Sequence, residues 1–287
     1  MSWTRFAAGI FLAFALTGVS RADLLVYQYE PAVNDRFYVG SDKAFIGESY
    51  NFSGVGNTNT SGAGQWATLV SSSYFVSADH LHPAVGSTVT FFENNNPNGP
   101  SHTYTVASGQ QVGTSDLFLG KLSTPISALD NIHPLAIVAD NESALTGATI
   151  NVYGVPNRVG LNTINGFDTV SNVTGSSAVG RAYTYDYDTT NGFGPGEAMV
   201  QVGDSGAPSF VTIGGQLALV GVHWFNYDSS GLAPAGSGDT YVSRYIPQMD
   251  ALMASSGEQI TVVPEPAALL LLAIGLPGVG LLLRRRS

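Results

Sequence analysis

VQVGDSGAPSF, Val200 to Phe210, places an acid and a serine between two glycines, follows them with a proline and closes on strand-like residues. Gly-Asp-Ser-Gly is ordinary turn chemistry, because glycine accepts positive φ and short polar side chains bond their own backbone. A serine hydroxyl is also a poor nucleophile until a neighbouring base takes its proton. Whether Ser205 is a turn residue or a nucleophile is therefore decided by what else the chain carries.

Strand signals recur on both sides of this stretch. QWATLVSSSYFVSA (65–78), STVTFFEN (87–94), HTYTVASG (102–109), DLFLGKL (116–122) and HPLAIVAD (133–140) are separated by Gly, Asn, Pro and Ser clusters. A second series holds GATINVYGVP (147–156), GFDTVSNVTG (166–175), GRAYTYDYD (180–188), EAMVQVG (197–203), APSFVTIGGQLALVGVHWF (207–225) and TYVSRYI (240–246). Two runs of about six short strands predict an all-β chain of two packed six-stranded antiparallel barrels. They span about 36–140 and 141–255, with the boundary near 136–148. One helix is expected late, where Ile246, Met249, Leu252 and Met253 recur at helical spacing and Gly257 stops them. The mixed pattern from Asp23 to about Glu48 assigns no element.

Composition agrees with this class. The 287 residues include 34 Gly and 14 Pro, only 11% are charged, and 44% are hydrophobic, enough to build a core rather than a disordered chain. Cysteine is absent, which excludes disulfides, a thiol nucleophile and thiolate metal sites. No cofactor is called for.

The two ends read differently from the middle. Arg5, an apolar run from Phe6 to Val19, and small residues Ser20 and Ala22 predict a signal peptide over 1–22, removed by signal peptidase. At the other end Ala267 to Leu283 is a 17-residue apolar stretch followed by Arg284, Arg285 and Arg286. As a helix it is about 25 Å long, at the short end of membrane-spanning length, with its basic cap suited to the cytoplasmic side. Residues 256–263 read as a linker to this 264–287 segment. Five of the 11 basic residues and none of the 21 acids lie in 1–22 and 267–287, so 23–266 carries 21 acids against 6 bases. So acidic a surface repels phosphate backbones, and nucleic acid is excluded as a partner.

For Ser205 to react, a histidine and an orienting carboxylate are needed. Five histidines are present: His80, His82, His102, His133 and His223. His80 ends an apolar strand, YFVSADH, that runs into a small-residue turn, and Asp116 opens the strand of TSDLFLGKL. His82, His102 and His133 lack such context and read as structural.

FVSADHL resembles the histidine motif of the chymotrypsin/trypsin-like serine peptidases, SDLFLGKL their aspartate motif and GDSGAP their serine motif. The order His, Asp, Ser is also that family's, with separations of 36 and 89 residues. The resemblance covers about 50–255 and implies Greek-key barrels, a polypeptide substrate and an acyl-enzyme route. It makes Ser205 the nucleophile, His80 the general base, Asp116 its orienting group, and the Gly203 and Ser205 amides the oxyanion hole. Asp204 anchors the loop. Met199 falls where the family places the floor of its primary pocket; without an Asp there, a basic side chain is not favoured. VGVHWF resembles a stretch of bacterial glutamyl endopeptidases whose histidine helps bind an acidic side chain, which makes His223 a second pocket candidate. No Arg/Lys-Ile-Val-Gly-Gly activation site is present, so the partner of Asp204 is open. Pro264-Glu265-Pro266, the apolar stretch and the basic end resemble a PEP-CTERM sorting signal. That implies an exosortase-like processing enzyme, transient membrane anchoring and release or display at the cell surface. A non-catalytic surface or matrix-binding module on the same fold is the alternative.

One stretch stands apart. DYDTTNGFGPGE (186–197) sets Asp186, Asp188 and Glu197 at the first, third and twelfth positions of a calcium-loop pattern. Its glycine is seventh rather than sixth and its flanks are not helical, so it reads as an acidic surface loop.

Overall fold

Short strands ended by turns make up nearly all the regular structure. The computed structural model describes residues 22–189, 192–228 and 234–264. Both terminal segments with export and sorting signals lie outside those residues, apart from Ala22 and Pro264. Among the described residues no helix is long and apolar enough to cross a membrane.

The first element, β1 (Leu25–Val26), belongs to the unassigned N-terminal region. Six strands follow: β2 (Val55–Asn57), β3 (Trp66–Leu69), β4 (Tyr74–Ala78), β5 (Thr88–Phe92), β6 (Ser101–Gln111) and β7 (Leu117–Leu122). They close into an antiparallel barrel in the order β2-β3-β4-β7-β6-β5. Closure leaves no open sheet edge in this half. Its interior holds Leu69, Phe75, Val89, Phe91, Val106 and Phe118, all buried. Gly120 has no alternative there, because a Cβ would collide with the Phe75 ring.

The second half is built from β8 (Ile137–Val138), β9 (Thr149–Gly154), β10 (Arg158–Thr163), β11 (Gly166–Val170), β12 (Gly180–Tyr187), β13 (Ala198–Met199), β14 (Pro208–Ile213), β15 (Gln216–Tyr227), β16 (Ala235–Tyr241) and β17 (Val262–Val263). Its main path runs β10-β9-β14-β15-β16-β12-β11. Here the expectation of a second six-stranded barrel is modified: among the described residues no backbone ladder joins β10 to β12. Side chains span that seam instead. Buried Asn162 donates to the Asp186 and Ala198 carbonyls at 2.9 and 2.8 Å.

The core between the halves is aromatic. Tyr153 sits 5.4 Å, centroid to centroid, from both Trp66 and Phe52, and Phe52 lies 5.9 Å from Phe210. Rings of this size bury 150–250 Å² each in favourable tilted geometries, and they fix how the halves meet. The predicted helix is present over Ile246–Met253, with Met249 and Met253 fully buried in this shared core and Gly257 at φ 70° just after it.

The 256–263 stretch is not a free linker. Val262 and Val263 add a parallel strand beside β8, Ile260 is buried, and the Glu258 carboxylate accepts from Ser72 Oγ and Ser73 N, both at 3.1 Å. A two-residue strand shows no periodicity, and here the exposed edge of β8 supplies the order.

Candidate active site

Two strands of the first barrel bring His80 and Asp116 together. In the β4–β7 ladder Ala78 lies opposite Leu117, so the residues just beyond the pairing, 79–80 and 116, must meet. The backbone ties them: Asp79 N donates to Asp116 O at 3.1 Å and His80 N to Asp116 Oδ1 at 3.2 Å. The side chains then align, with His80 Nδ1 2.6 Å from Asp116 Oδ2. An ionised carboxylate only accepts, so Nδ1 carries the proton and Nε2 presents its lone pair. Asp116 is fully buried and also accepts from Ser176 Oγ at 3.0 Å.

Ser205 comes from the second half, in the turn between β13 and β14. Its Oγ lies 2.9 Å from His80 Nε2. The turn is seated by Gly206, whose φ is 85° and where a Cβ would lie 2.6 Å from Ser77 Oγ on β4. It is also clamped to β15, because Gly206 N donates to His223 O and His223 N to Ala207 O. Gly203 has φ 111°, a value that favours glycine. Among the described residues neither the Gly203 nor the Ser205 amide has a hydrogen-bond acceptor. Two free amides beside a polarised hydroxyl form a site that can take an oxyanion.

Asp204 finds its partners in the backbone. Its buried carboxylate accepts from Val155 N and Gln201 N, each at 2.7 Å. Burial pushes its carboxyl up to about 6, against those two bonds, which favour the charged form. The N-terminal segment supports the same region: Leu25 and Val26 pair with Met199 and Ala198.

The cleft beside Ser205 encloses about 300 Å³ and is lined by Val173, Thr174, Val200, Gln201, Trp224 and Asn226 among others. Among the described residues His80 is the single ionisable one on that wall. Neither expected pocket residue, Met199 or His223, is among those lining this cleft. Met199 is 7% exposed and paired to β1, and the strand's alternation gives the cleft position to Val200. His223 is fully buried, with Nδ1 2.8 Å from Asp239 Oδ1 and Nε2 2.8 Å from Tyr153 O. Both neighbours accept, so both ring nitrogens donate and the ring is an imidazolium. Burial is the largest influence and lowers its pKa, but the Asp239 carboxylate, with Asp204 and the Tyr153 carbonyl, raises it on balance. A carboxylate in the cleft cannot reach a ring so fully engaged.

Ser176 and the cleft residues Val173 and Thr174 carried no signal in the sequence, since NVTGSSAVG is an unremarkable polar run. Trp224 could have been found, as it follows His223 in the stretch that drew notice. Two other histidines are engaged elsewhere, as His82 stacks on Phe118 at 3.7 Å and His102 Nε2 is 2.7 Å from Glu93 Oε1, while His133 is exposed.

Comparison with known proteins agrees with this architecture. Residues 39–248 match the trypsin family, and the chain belongs to it. A solved structure of similar fold is a mutant of human heparin binding protein (CAP37). It has a TM-score of 0.52 at 15% identity, covering 71% of this chain and 92% of that one. No curated protein matches.

Proposed function

We propose that the chain is a serine endopeptidase whose triad is His80, Asp116 and Ser205. The supporting observation is the continuous hydrogen-bonded line from Asp116 through His80 to Ser205 Oγ, beside two unengaged amides. Ser205 Oγ attacks the peptide carbonyl as its proton passes to His80 Nε2. The tetrahedral oxyanion is held by the Gly203 and Ser205 amides, each donor supplying about 3 kcal/mol. The imidazolium then protonates the leaving amine, and water hydrolyses the acyl-enzyme by the same route in reverse. The test is a fluorophosphonate probe: wild type is labelled and Ser205→Ala is not, whereas an unlabelled wild type sinks the assignment.

The cleft supports an uncharged side chain before the scissile bond. Its wall is apolar at Val173, Val200 and Trp224 and neutral-polar at Thr174, Gln201 and Asn226. Profiling the cleavage of a denatured protein mixture should show uncharged residues at that position, and a predominance of Glu, Asp, Lys or Arg would contradict the reading.

Ser176 is a positioning residue for Asp116. A hydrogen bond to a charged group contributes about 1.5–3 kcal/mol. Ser176→Ala should therefore lower kcat about 10-fold or more, with KM changed less than about twofold. A matching rise in KM with unchanged kcat would place Ser176 in substrate binding instead.

Export after removal of 1–22, and surface display or release through the 264–287 segment by an exosortase-like enzyme, complete the proposal. They rest on the sequence motifs. The neighbour named for heparin binding favours a second reading, a binding module on the same fold. The excess of acids over bases between 23 and 266 opposes a polyanion ligand. A binding-only protein would keep its function in His80→Ala.

A further inference from the structure

The acidic stretch 186–197 is not simply a solvated loop. It borders a cavity of about 590 Å³ whose wall includes Asp186, Asp188, Glu197, Asn162 and Thr163 and, among the described residues, has no Lys, Arg or His. Glu197 is the telling residue. It is 1% exposed; its Oε1 accepts from Phe193 N at 3.2 Å, while its buried Oε2 has no hydrogen-bond partner among the described residues. A buried carboxylate with one hydrogen bond and no cationic neighbour is expensive, and native proteins match such charges with cations. Asp186 differs, since its oxygens already accept from Tyr227 OH at 2.7 Å and Asn165 Nδ2 at 2.8 Å. Gly192 explains the tightness of the turn: a Cβ there would collide with both Glu197 Oε1 and the Asp188 carbonyl oxygen. The glycine thus holds an acid and a carbonyl from opposite ends of the stretch at one point.

We propose that this cavity binds a divalent cation of the calcium class, with Glu197 as its anchoring carboxylate and Asp188 as a second acid. The donors on the wall are oxygens, as hard cations require, and calcium tolerates the irregular mixed sets of carboxylate, neutral oxygen and water that such a wall offers. Among the described residues no three acid or histidine side chains converge as ligands. The site is therefore of low charge, and its affinity falls in the weak range of extracellular modules, a Kd on the order of 0.1–1 mM. Glu197 immediately precedes β13, and Leu161 N, Gly196 N and Tyr27 N knit its neighbourhood to β10 and the N-terminal segment. Occupancy would brace the strand that leads into Val200 and Gln201 of the cleft.

The experiment is calorimetric titration of the metal-free full chain with calcium chloride, alongside thermal melting with and without 10 mM calcium. Saturable binding with one ion per chain and a higher Tm are expected. Glu197→Gln, which keeps the bond from Phe193 N, should weaken binding at least 10-fold while Ser205 still reacts with the fluorophosphonate. Should that variant fail to fold, Asp188→Asn is expected to weaken binding in the same way. Absence of saturable calcium binding by wild type, or wild-type affinity in whichever variant folds, overturns the proposal. Neither outcome depends on whether the triad hydrolyses peptides.

Discussion

Ser205→Ala should leave a folded protein that hydrolyses peptide substrates roughly 10⁴–10⁶-fold more slowly than wild type. The hydroxyl lies 2.9 Å from His80 Nε2, and among the described residues no other nucleophile lines that side of the cleft with a base in contact. His80→Ala should fall by a similar factor, because without a base the hydroxyl keeps its proton. The double variant should be little worse than either single one. Residues acting as a unit are not additive, and what persists comes from the amides and substrate binding. Steady-state kinetics on one peptide substrate measures all three. Retention of activity within about tenfold in either single variant would refute the triad. Folding is not at issue at Ser205, since Gly206 and Ala207, not the serine side chain, clamp the turn to β15.

Asp239→Ala should destabilise the protein by about 3–5 kcal/mol, the usual result of breaking a fully buried ion pair on one side. Asp239 is buried and accepts four hydrogen bonds: Ser209 Oγ at 2.6 Å, Tyr183 OH and His223 Nδ1 at 2.8 Å, and Tyr185 OH at 3.1 Å. Truncation strands three hydroxyls and an imidazolium away from water. The pair itself is not thereby a large net stabiliser, because its own desolvation offsets much of the attraction; removing half of it is what costs. Urea unfolding measures the effect, and a loss below about 1 kcal/mol would show that the cluster is hydrated or neutral.

The pH dependence has a definite sign. His223 is raised above its ordinary 6.5, so its contribution is complete below that value and is lost as pH rises through the folded-state pKa. Wild type should lose stability on the alkaline side, and Asp239→Ala should remove that slope. The same variant should reduce turnover, because the His223 backbone holds Gly206 and Ala207 in place around Ser205.

Much of this site was legible because its information is local. An apolar strand ending in Ala-Asp-His, an acid opening a strand and a glycine-flanked serine each report their own immediate backbone, and their order did the rest. The helix over Ile246–Met253 was legible for the same reason: 3.6-residue spacing is a property of the segment itself. The all-β class followed from turn residues at short intervals. Closure of the second sheet was not legible, since Asn162 bridges β10 to the backbone of residues 24 and 36 positions away.

The differences between expectation and structure share one cause. Met199 and Val200 are adjacent, and which of them faces the cleft depends on the phase of a two-residue strand set by its pairing with β1. His223 lay in the right stretch but turned inward, because Asp239, 16 residues on, and the Tyr153 carbonyl, 70 residues back, offered acceptors that only the assembled sheet brings within 2.8 Å. Ser176 reaches Asp116 across 60 residues, and Glu197 is 1% exposed although it closes a glycine-rich polar stretch. Identity of elements, order of motifs and the chemistry of the nucleophile loop are short-range properties written in consecutive residues. Side-chain direction, burial of charge and the shape of the cleft are set by contacts between distant segments, and they arise when the two halves pack.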